Sequence, residues 1–463
     1  MKRLMISVIS ILLLTFFIGC DFNNSIGTKN QEKQNQNTQT TENQNTENKT
    51  TENQVKNWVE VSSLKEAFVD GGYFDRFGLA CELGEISDTE IAKGLKHHAN
   101  TTTPGNELKP QFIFWYPKPT QFIKFTASNG KTIDVPSSIN FSAKMDPYMK
   151  AVKDAGLQMR GHVLTWHSQT FDWFFTENYA DNVTATNLVD KETMTARHEW
   201  YIKSVLEHVA EWEAASGYGP GNHLIYSWDV VNEAVADDAS NDDTNYLRGS
   251  TADTKNKAPD KGGSRWFQIY GDNEFIVNAF RFANAYAPAD VTLCYNDYNE
   301  YMDWNGDHGA WKTSGILRLL TAIKNGEAKT VNGKAVKPRI DAMGLQSHVG
   351  SSWPGVSGYE AALKRYLEFG LDVQITEFDI ASSAADDTTN WKNYFDMLIK
   401  YSKKGSEISK YNGHYITGIT LWGIIDENSW ISKGGTQHPL IFKKSNGDIV
   451  TKNCFYSVIN TAK

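Results

Sequence analysis

The chain has 463 residues, 40% apolar and 22% charged, and its 46 Lys and Arg against 55 Asp and Glu leave a formal charge of −9. Such a length fits two or three domains or one large α/β barrel, and the acidic balance makes nucleic acid and anionic membrane surfaces poor partners, since nothing offsets phosphate repulsion. Four cysteines exclude a disulfide scaffold, while 14 Trp, 20 Tyr and 23 Phe supply flat apolar faces with polar edges, suited to sugars as well as to a large core.

The first element is an address. Met1-Lys2-Arg3 is a positive start, and the thirteen residues from Ile6 to Ile18 are nearly all apolar. That run is too short to span a bilayer and has the length of a signal-peptide core. It closes on Phe17-Ile18-Gly19-Cys20, which resembles a bacterial lipobox with phenylalanine where leucine is more usual. Residues 1–19 therefore read as a lipoprotein signal peptide and Cys20 as the lipidated first residue; a plain secretory signal is the alternative. Loss of Lys2 and Arg3 would take the charge from −9 to −11. The protein is accordingly expected outside the cytoplasm, lipid-anchored at the surface of a bacterial cell envelope, or else secreted. Residues 29–54 consist only of Lys, Asn, Gln, Glu and Thr. With no apolar side chain to bury, they cannot offset chain entropy, so 20–56 read as a disordered polar tether.

Patterned sequence starts near Trp58, and 57–463 read as a single domain. Short apolar runs alternate with amphipathic stretches: Phe77–Cys81, Gln158–Leu164, Leu224–Val231, Val291–Tyr295, Ile340–Leu345, Asp372–Thr376 and Ile416–Trp422, to which a strand near Thr101 is added. Near-continuous apolar strands imply burial on both faces, hence a parallel sheet covered by helices. Helical candidates between them include Glu274–Tyr286, Trp311–Lys324 and Tyr359–Phe369. Eight strand–helix units over about 400 residues make an α/β fold, a (β/α)8 TIM barrel with long loops.

In that architecture chemistry sits at the C-terminal ends of the strands. His162, Asn232-Glu233, Asn296-Asp297, Gln346-Ser-His348, Glu377 and Trp422 each terminate an apolar run. Glu233 and Glu377, each placed directly after its run, are the centre of the reading. Two carboxylates from different strands can face one another across a bond, one protonating the leaving oxygen while the other attacks or activates water.

At these residues the chain resembles glycoside hydrolase family 10, the endo-β-1,4-xylanases. The matching segments run in order across nearly all of 60–460: Asn106-Glu-Leu-Lys109, Arg160-Gly-His-Val-Leu-Thr-Trp-His-Ser-Gln169, Trp228-Asp-Val-Val-Asn-Glu233, Tyr295-Asn-Asp-Tyr-Asn299, Gln346-Ser-His348, Ile375-Thr-Glu377 and Leu421-Trp-Gly423. The resemblance implies endo cleavage of xylan and xylo-oligosaccharides by a monomer, with Glu233 as acid/base, Glu377 as nucleophile and retention of configuration. It implies that Asn232 meets the 2-hydroxyl, that His348 and Asp379 hold and tune Glu377, and that Gln346 orients Glu233. It implies further that Asn106, Lys109, His162, Trp166 and Gln169 line the glycone subsites. It implies as well that Trp422 and Trp430 pack over the cleavage centre, partly as a wall against glucose, that Tyr298 stacks on the leaving-side sugar, and that His167 supports the wall. No cofactor and no metal are implied, and the only membrane contact is the lipid.

One departure stands out. Gly105 occupies the place where many members carry a glutamate that contacts a glycone hydroxyl, so binding at the second glycone subsite should weaken or shift to another group. The stretches 112–139 and 235–264 are long and are expected to shape the cleft rim. Other classes fare worse. No His-Glu-x-x-His suggests a metal hydrolase, and no Gly-rich nucleotide loop follows a strand. A lipoprotein that captures polysaccharide without cutting it needs neither acid, and a related β-1,4-glucanase would prefer carboxymethylcellulose to xylan. Beyond Cys20, the expectation is free buried thiols at Cys81, Cys294 and Cys454, with a Cys81–Cys454 bridge as the alternative.

Overall fold

The computed structural model describes residues 55–114, 117–184, 186–239, 245–251, 253, 255–256, 263–302 and 312–462. The signal peptide, Cys20, the tether up to residue 54 and Trp311 lie outside them. Eight parallel strands alternate with helices: β1 Arg76–Leu79, α1 Thr89–His98, β2 Thr101–Thr102, α2 Met145–Ala155, β3 Gln158–Trp166, α3 Lys191–Ala215, β4 Ile225–Asn232, α4 Glu274–Tyr286, β5 Thr292–Asp297, α5 Lys312–Lys324, β6 Ala342–Leu345, α6 Val356–Glu368, β7 Asp372–Ala381, α7 Thr388–Lys400, β8 Ile416–Leu421 and α8 Asn453–Ile459. Each strand pairs with its neighbours in chain order, β6 with β7 included, and β8 pairs with β1, which closes the sheet. The (β/α)8 barrel read from the apolar runs is the fold.

The strands are buried along nearly their whole length, as in β3, where only Gln158 and Trp166 reach partial exposure. Inward side chains fill the barrel and outward ones meet the helices, which explains the continuous apolar runs. Helix starts follow their caps: the Asp88 side chain accepts from the amides of Glu90 and Ile91 ahead of α1, and Asp190 accepts from Thr193 ahead of α3. α2 ends at Gly156 in the left-handed region, φ 72°. Before β1, the Lys56 carbonyl accepts from the Thr451 amide and Trp58 packs edge-on against Phe442.

Irregularities in three strand pairings lie near the site. The β7–β8 register slips between Ile375 and Phe378, β3–β4 between His162 and Thr165, and β4–β5 between Asp229 and Val231. An extra residue in a strand bends it and redirects its side chains. Glu377 lies inside the first of these slips. It therefore does not follow the end of a strand, as its apolar run suggested; β7 continues to Ala381 because His348–Gly350 pairs alongside Asp379–Ala381.

The long stretch 112–139 contains a hairpin, Phe122–Thr126 with Thr132–Pro136, that is fastened to α3. Ser128 donates from amide and hydroxyl to Glu199, and Lys131 pairs with Asp190 at 2.8 Å. Its polar turn finds its partners on the barrel's flank. Cys81, Cys294 and Cys454 are free and buried, so the Cys81–Cys454 bridge is not formed.

Candidate active site

Glu233 follows β4 with φ 55°, in the left-handed region. Its Oε2 accepts from the Trp166 indole at 3.0 Å, and its Oε1 accepts from Gln346 at 2.9 Å and Asn232 at 3.1 Å. Three donors from three strand ends thus aim one carboxylate. Beside it His167 lies 4.0 Å away. Burial, then the charges of Arg248 and Lys312, hold His167 well below the usual histidine range, so it packs as a neutral ring.

Glu377 has a different setting. Its Oε2 meets His348 Nε2 at 3.3 Å and its Oε1 accepts from Asn296 at 2.9 Å. Burial favours the uncharged acid, but the His348 hydrogen bond, the charges of His162 and His348 and the Asn296 amide outweigh it and bring Glu377 down to about 2. His348 is opposed by burial too, yet Asp379 and Glu377 on its two sides raise it to about 10. His348 is therefore an imidazolium donating from both nitrogens, with Nδ1 2.9 Å from Asp379. His348 thus stands between Asp379 and Glu377 in a carboxylate–imidazolium–carboxylate row. Trp430 donates to the second Asp379 oxygen at 2.9 Å, stacks edge-on to His348 and remains 51% exposed.

The two carboxylates are joined through amides. Asn296 donates both to Glu377 and, at 3.0 Å, to the Asn232 oxygen; Gln346 donates to that same oxygen and to Glu233. Asn232, Asn296 and Gln346 thus fix both acids in one frame, and Thr376 holds the Asn296 oxygen from behind at 2.7 Å. Ser347 turns the chain between Gln346 and His348 with φ 61°, its amide and hydroxyl on the buried Glu300, so alternate residues point inward.

The remaining predicted residues surround this frame. Asn106 accepts from Lys109 at 3.0 Å and from Gln169 at 3.2 Å, and Lys109 lies 5.1 Å from the Trp166 ring centre. His162 is nearly enclosed: Asp229 takes its Nδ1 at 2.9 Å and Trp422 stands edge-on to it. Trp422 is half-buried, its amide fixed to the Phe378 carbonyl. Tyr298 is half-buried with the Lys312 ammonium 3.5 Å from its ring centre and Arg248 on its hydroxyl at 2.7 Å.

Two contributors were not singled out from sequence, and Asn296 was named only as a strand end, without a role. Asp229 lies inside a β-run and looked like core; it carries His162 and pairs with the buried Arg160. Arg248 had no local signal. It arrives because residues 234–236 and 246–248 pair antiparallel, which places its Nε on the Glu233 carbonyl at 2.8 Å. Among the described residues, no three His, Cys, Asp or Glu are grouped to hold a metal ion. The arrangement is fitted to acid–base and nucleophilic work by two carboxylates in unlike surroundings.

Comparison with known proteins gives a consistent result. The model of glycosyl hydrolase family 10 matches residues 63–461. The chain is 32% identical to endo-1,4-beta-xylanase Y of Acetivibrio thermocellus over 404 residues, 86% of this chain and 32% of that protein. It is also 32% identical to endo-1,4-beta-xylanase A of Butyrivibrio fibrisolvens over 374 residues, 77% of this chain and 75% of that one. The chain spans 32%, 31% and 52% of the first three curated relatives it matches. The N-terminal modules of a Clostridium thermocellum endo-1,4-beta-D-xylanase, solved with xylohexaose, superpose with TM-score 0.64 at 28% identity, covering 87% of this chain and 67% of that one. A psychrophilic family 10 endo-beta-1,4-xylanase gives 0.62 at 26% identity, covering 86% and 99%.

Proposed function

Since the chain belongs to glycosyl hydrolase family 10, we propose that it is an endo-1,4-β-xylanase, cutting internal β-1,4-xylosidic bonds of xylan and xylo-oligosaccharides with retention of configuration. The observation that carries this reading is the contrast between two carboxylates held in one amide frame: Glu377, kept ionised at about 2, and Glu233, tethered by Trp166 and Gln346. Glu377 attacks the anomeric carbon while Glu233 gives its proton to the departing oxygen. Glu233 then takes a proton from water, and that water displaces Glu377 from the sugar. A direct displacement of this kind needs the carboxylates about 5–5.5 Å apart. Asn232 meets the 2-hydroxyl, a contact that strengthens as positive charge develops on the ring.

Xylan is favoured over glucan by the indoles of Trp422 and Trp430, bulky groups standing where a hydroxymethyl arm would need room. Relatives named as xylanases, one of them solved with xylohexaose, support that substrate class. The enzyme acts as a monomer. The signal and lipobox-like Cys20 support a bacterial lipoprotein at the cell surface, the polar stretch holding the catalytic body off the membrane.

The test is proton NMR of xylohexaose hydrolysis before mutarotation, with Glu377→Ala as control. The β-anomer is expected first from the wild type and no reducing sugar from the variant. An initial α-anomer would overturn the nucleophile assignment.

A further inference from the structure

A second cleft lies on the flank of the barrel and shares no residue with the frame of the two acids. It has a volume of about 410 Å³ and opens between the 122–136 hairpin, residues 177–179 and the first two turns of α3. A helix of this barrel begins at the end where the preceding strand finishes, so α3 starts on the side that carries Trp166 and Glu233.

Three flat groups pack together there. Phe122 lies on Tyr179 with ring centres 4.9 Å apart and 28° between the planes, and the Arg197 guanidinium sits 3.9 Å from the Tyr179 ring centre. Phe122 is 39% exposed whereas Tyr179 and Arg197 are buried, so Phe122 is the outermost of the three. The Tyr179 hydroxyl donates to the Asp134 carbonyl at 2.7 Å, and the chain enters the left-handed region at both Asn178 and Tyr179 to bring that ring into place.

Arg197 is incompletely satisfied. Only 4% exposed, it donates from Nη1 to the carbonyls of Phe174 and Thr176, while its Nε has no hydrogen-bond partner. Asp190, a carboxylate whose charge reaches it, is already engaged by Lys131 and by the Thr193 amide. Buried donors are ordinarily paired, and one left open at the floor of a cleft is a point that a ligand atom can complete. The rim sets the charge of that ligand. Asp134 and Glu177 line the opening and are exposed, so an anion is repelled. A neutral chain of hydroxyls fits: its oxygens accept from the guanidinium, its protons go to the carboxylates, and the C–H face of a sugar ring lies on Phe122.

We propose that this cleft is a second binding site for a β-1,4-linked xylose chain, held by Phe122, Arg197, Asp134 and Glu177 without being cut. The choice of xylose rests on the xylanase reading. A polymer seated here has its other stretches concentrated near the two acids, an advantage that short substrates cannot share.

The test is native electrophoresis through gels containing soluble, undecorated xylan, run on the Glu377→Ala protein so that the polymer is bound and not hydrolysed. Adding Phe122→Ala is expected to weaken the apparent Kd about fivefold, the loss of one stacked ring. Adding Glu177→Ala, at an exposed position, is expected to weaken it about threefold. In the otherwise unaltered enzyme, Phe122→Ala should raise KM on the same xylan by a similar factor and hold kcat/KM on 4-nitrophenyl β-xylobioside within about twofold. Unchanged retardation in either variant, or an equal loss on xylan and xylobioside, overturns the second site. If the wild type releases no reducing sugar from xylan, the enzyme reading falls, and the gel still decides whether the cleft binds the polymer.

Discussion

His348 shows how one side chain sets the chemistry of another. Held at about 10 between Asp379 and Glu377, it presents a positive charge to the buried Glu377, the proposed nucleophile, which burial alone would protonate. Glu377 must be ionised to attack, so activity should persist far into acid. Replacing His348 by Gln removes the charge and leaves desolvation less opposed, so the Glu377 pKa must rise. The acid limb of the kcat/KM–pH profile is then expected to move upward by about one unit or more, equivalent to ~1.4 kcal/mol. An unmoved limb would show that Asn296 and the surrounding field suffice. At this scale much was legible: Glu233, Glu377, Asn232, Gln346, His348 and Asp379 all meet in one network. What escaped were groups whose value lies in a partner distant along the chain, such as Asp229 on His162 and Arg248 on the Glu233 carbonyl.

Among the elements, strand existence followed from apolar continuity, whereas strand ends did not. β7 outruns its apolar stretch because His348–Gly350 supplies an extra parallel partner, and the register slip at Thr376-Glu377 is a property of two strands together. Helix boundaries agreed where caps were local: Glu274–Tyr286 is α4 as expected, while α6 begins at Val356 rather than Tyr359, directly after Gly355. Packing between elements yields a further expectation. In α1, Gly94 lies against Trp58, and a Cβ there would come within 1.9 Å of the indole. Gly94→Ala gains helix propensity, but it must displace a buried ring that seals the start of the domain. The net effect is expected to be destabilisation of about 1–3 kcal/mol, because overpacking outweighs propensity. Urea denaturation measures it, and turnover per folded molecule should be unchanged; a stabilised variant would show the indole free to move.

At the scale of the whole molecule, the proposed lipid anchor bears on placement and the barrel on chemistry. Cys20→Ala in the full chain is expected to abolish fatty-acyl incorporation and move the protein from the membrane fraction to the soluble one. Its kcat/KM on xylohexaose should not change, since Trp166, Asn296, Gln346 and His348, which hold the two carboxylates, all belong to the barrel. Retention in the membrane fraction would mean that something other than a lipid holds it. The fold class was determined by the sequence alone, and so was the choice of Glu233 and Glu377 as the candidate acids, because apolar periodicity and a few dense motifs are local signals that survive without coordinates. Only the tertiary structure decided that His348 is charged, that Arg248 backs Glu233, that the 122–136 hairpin grips α3, and that Glu82 fills the space at Gly105. Each of those depends on which distant groups share a small volume, and proton affinity, register and steric room are set by that sharing rather than by order along the chain.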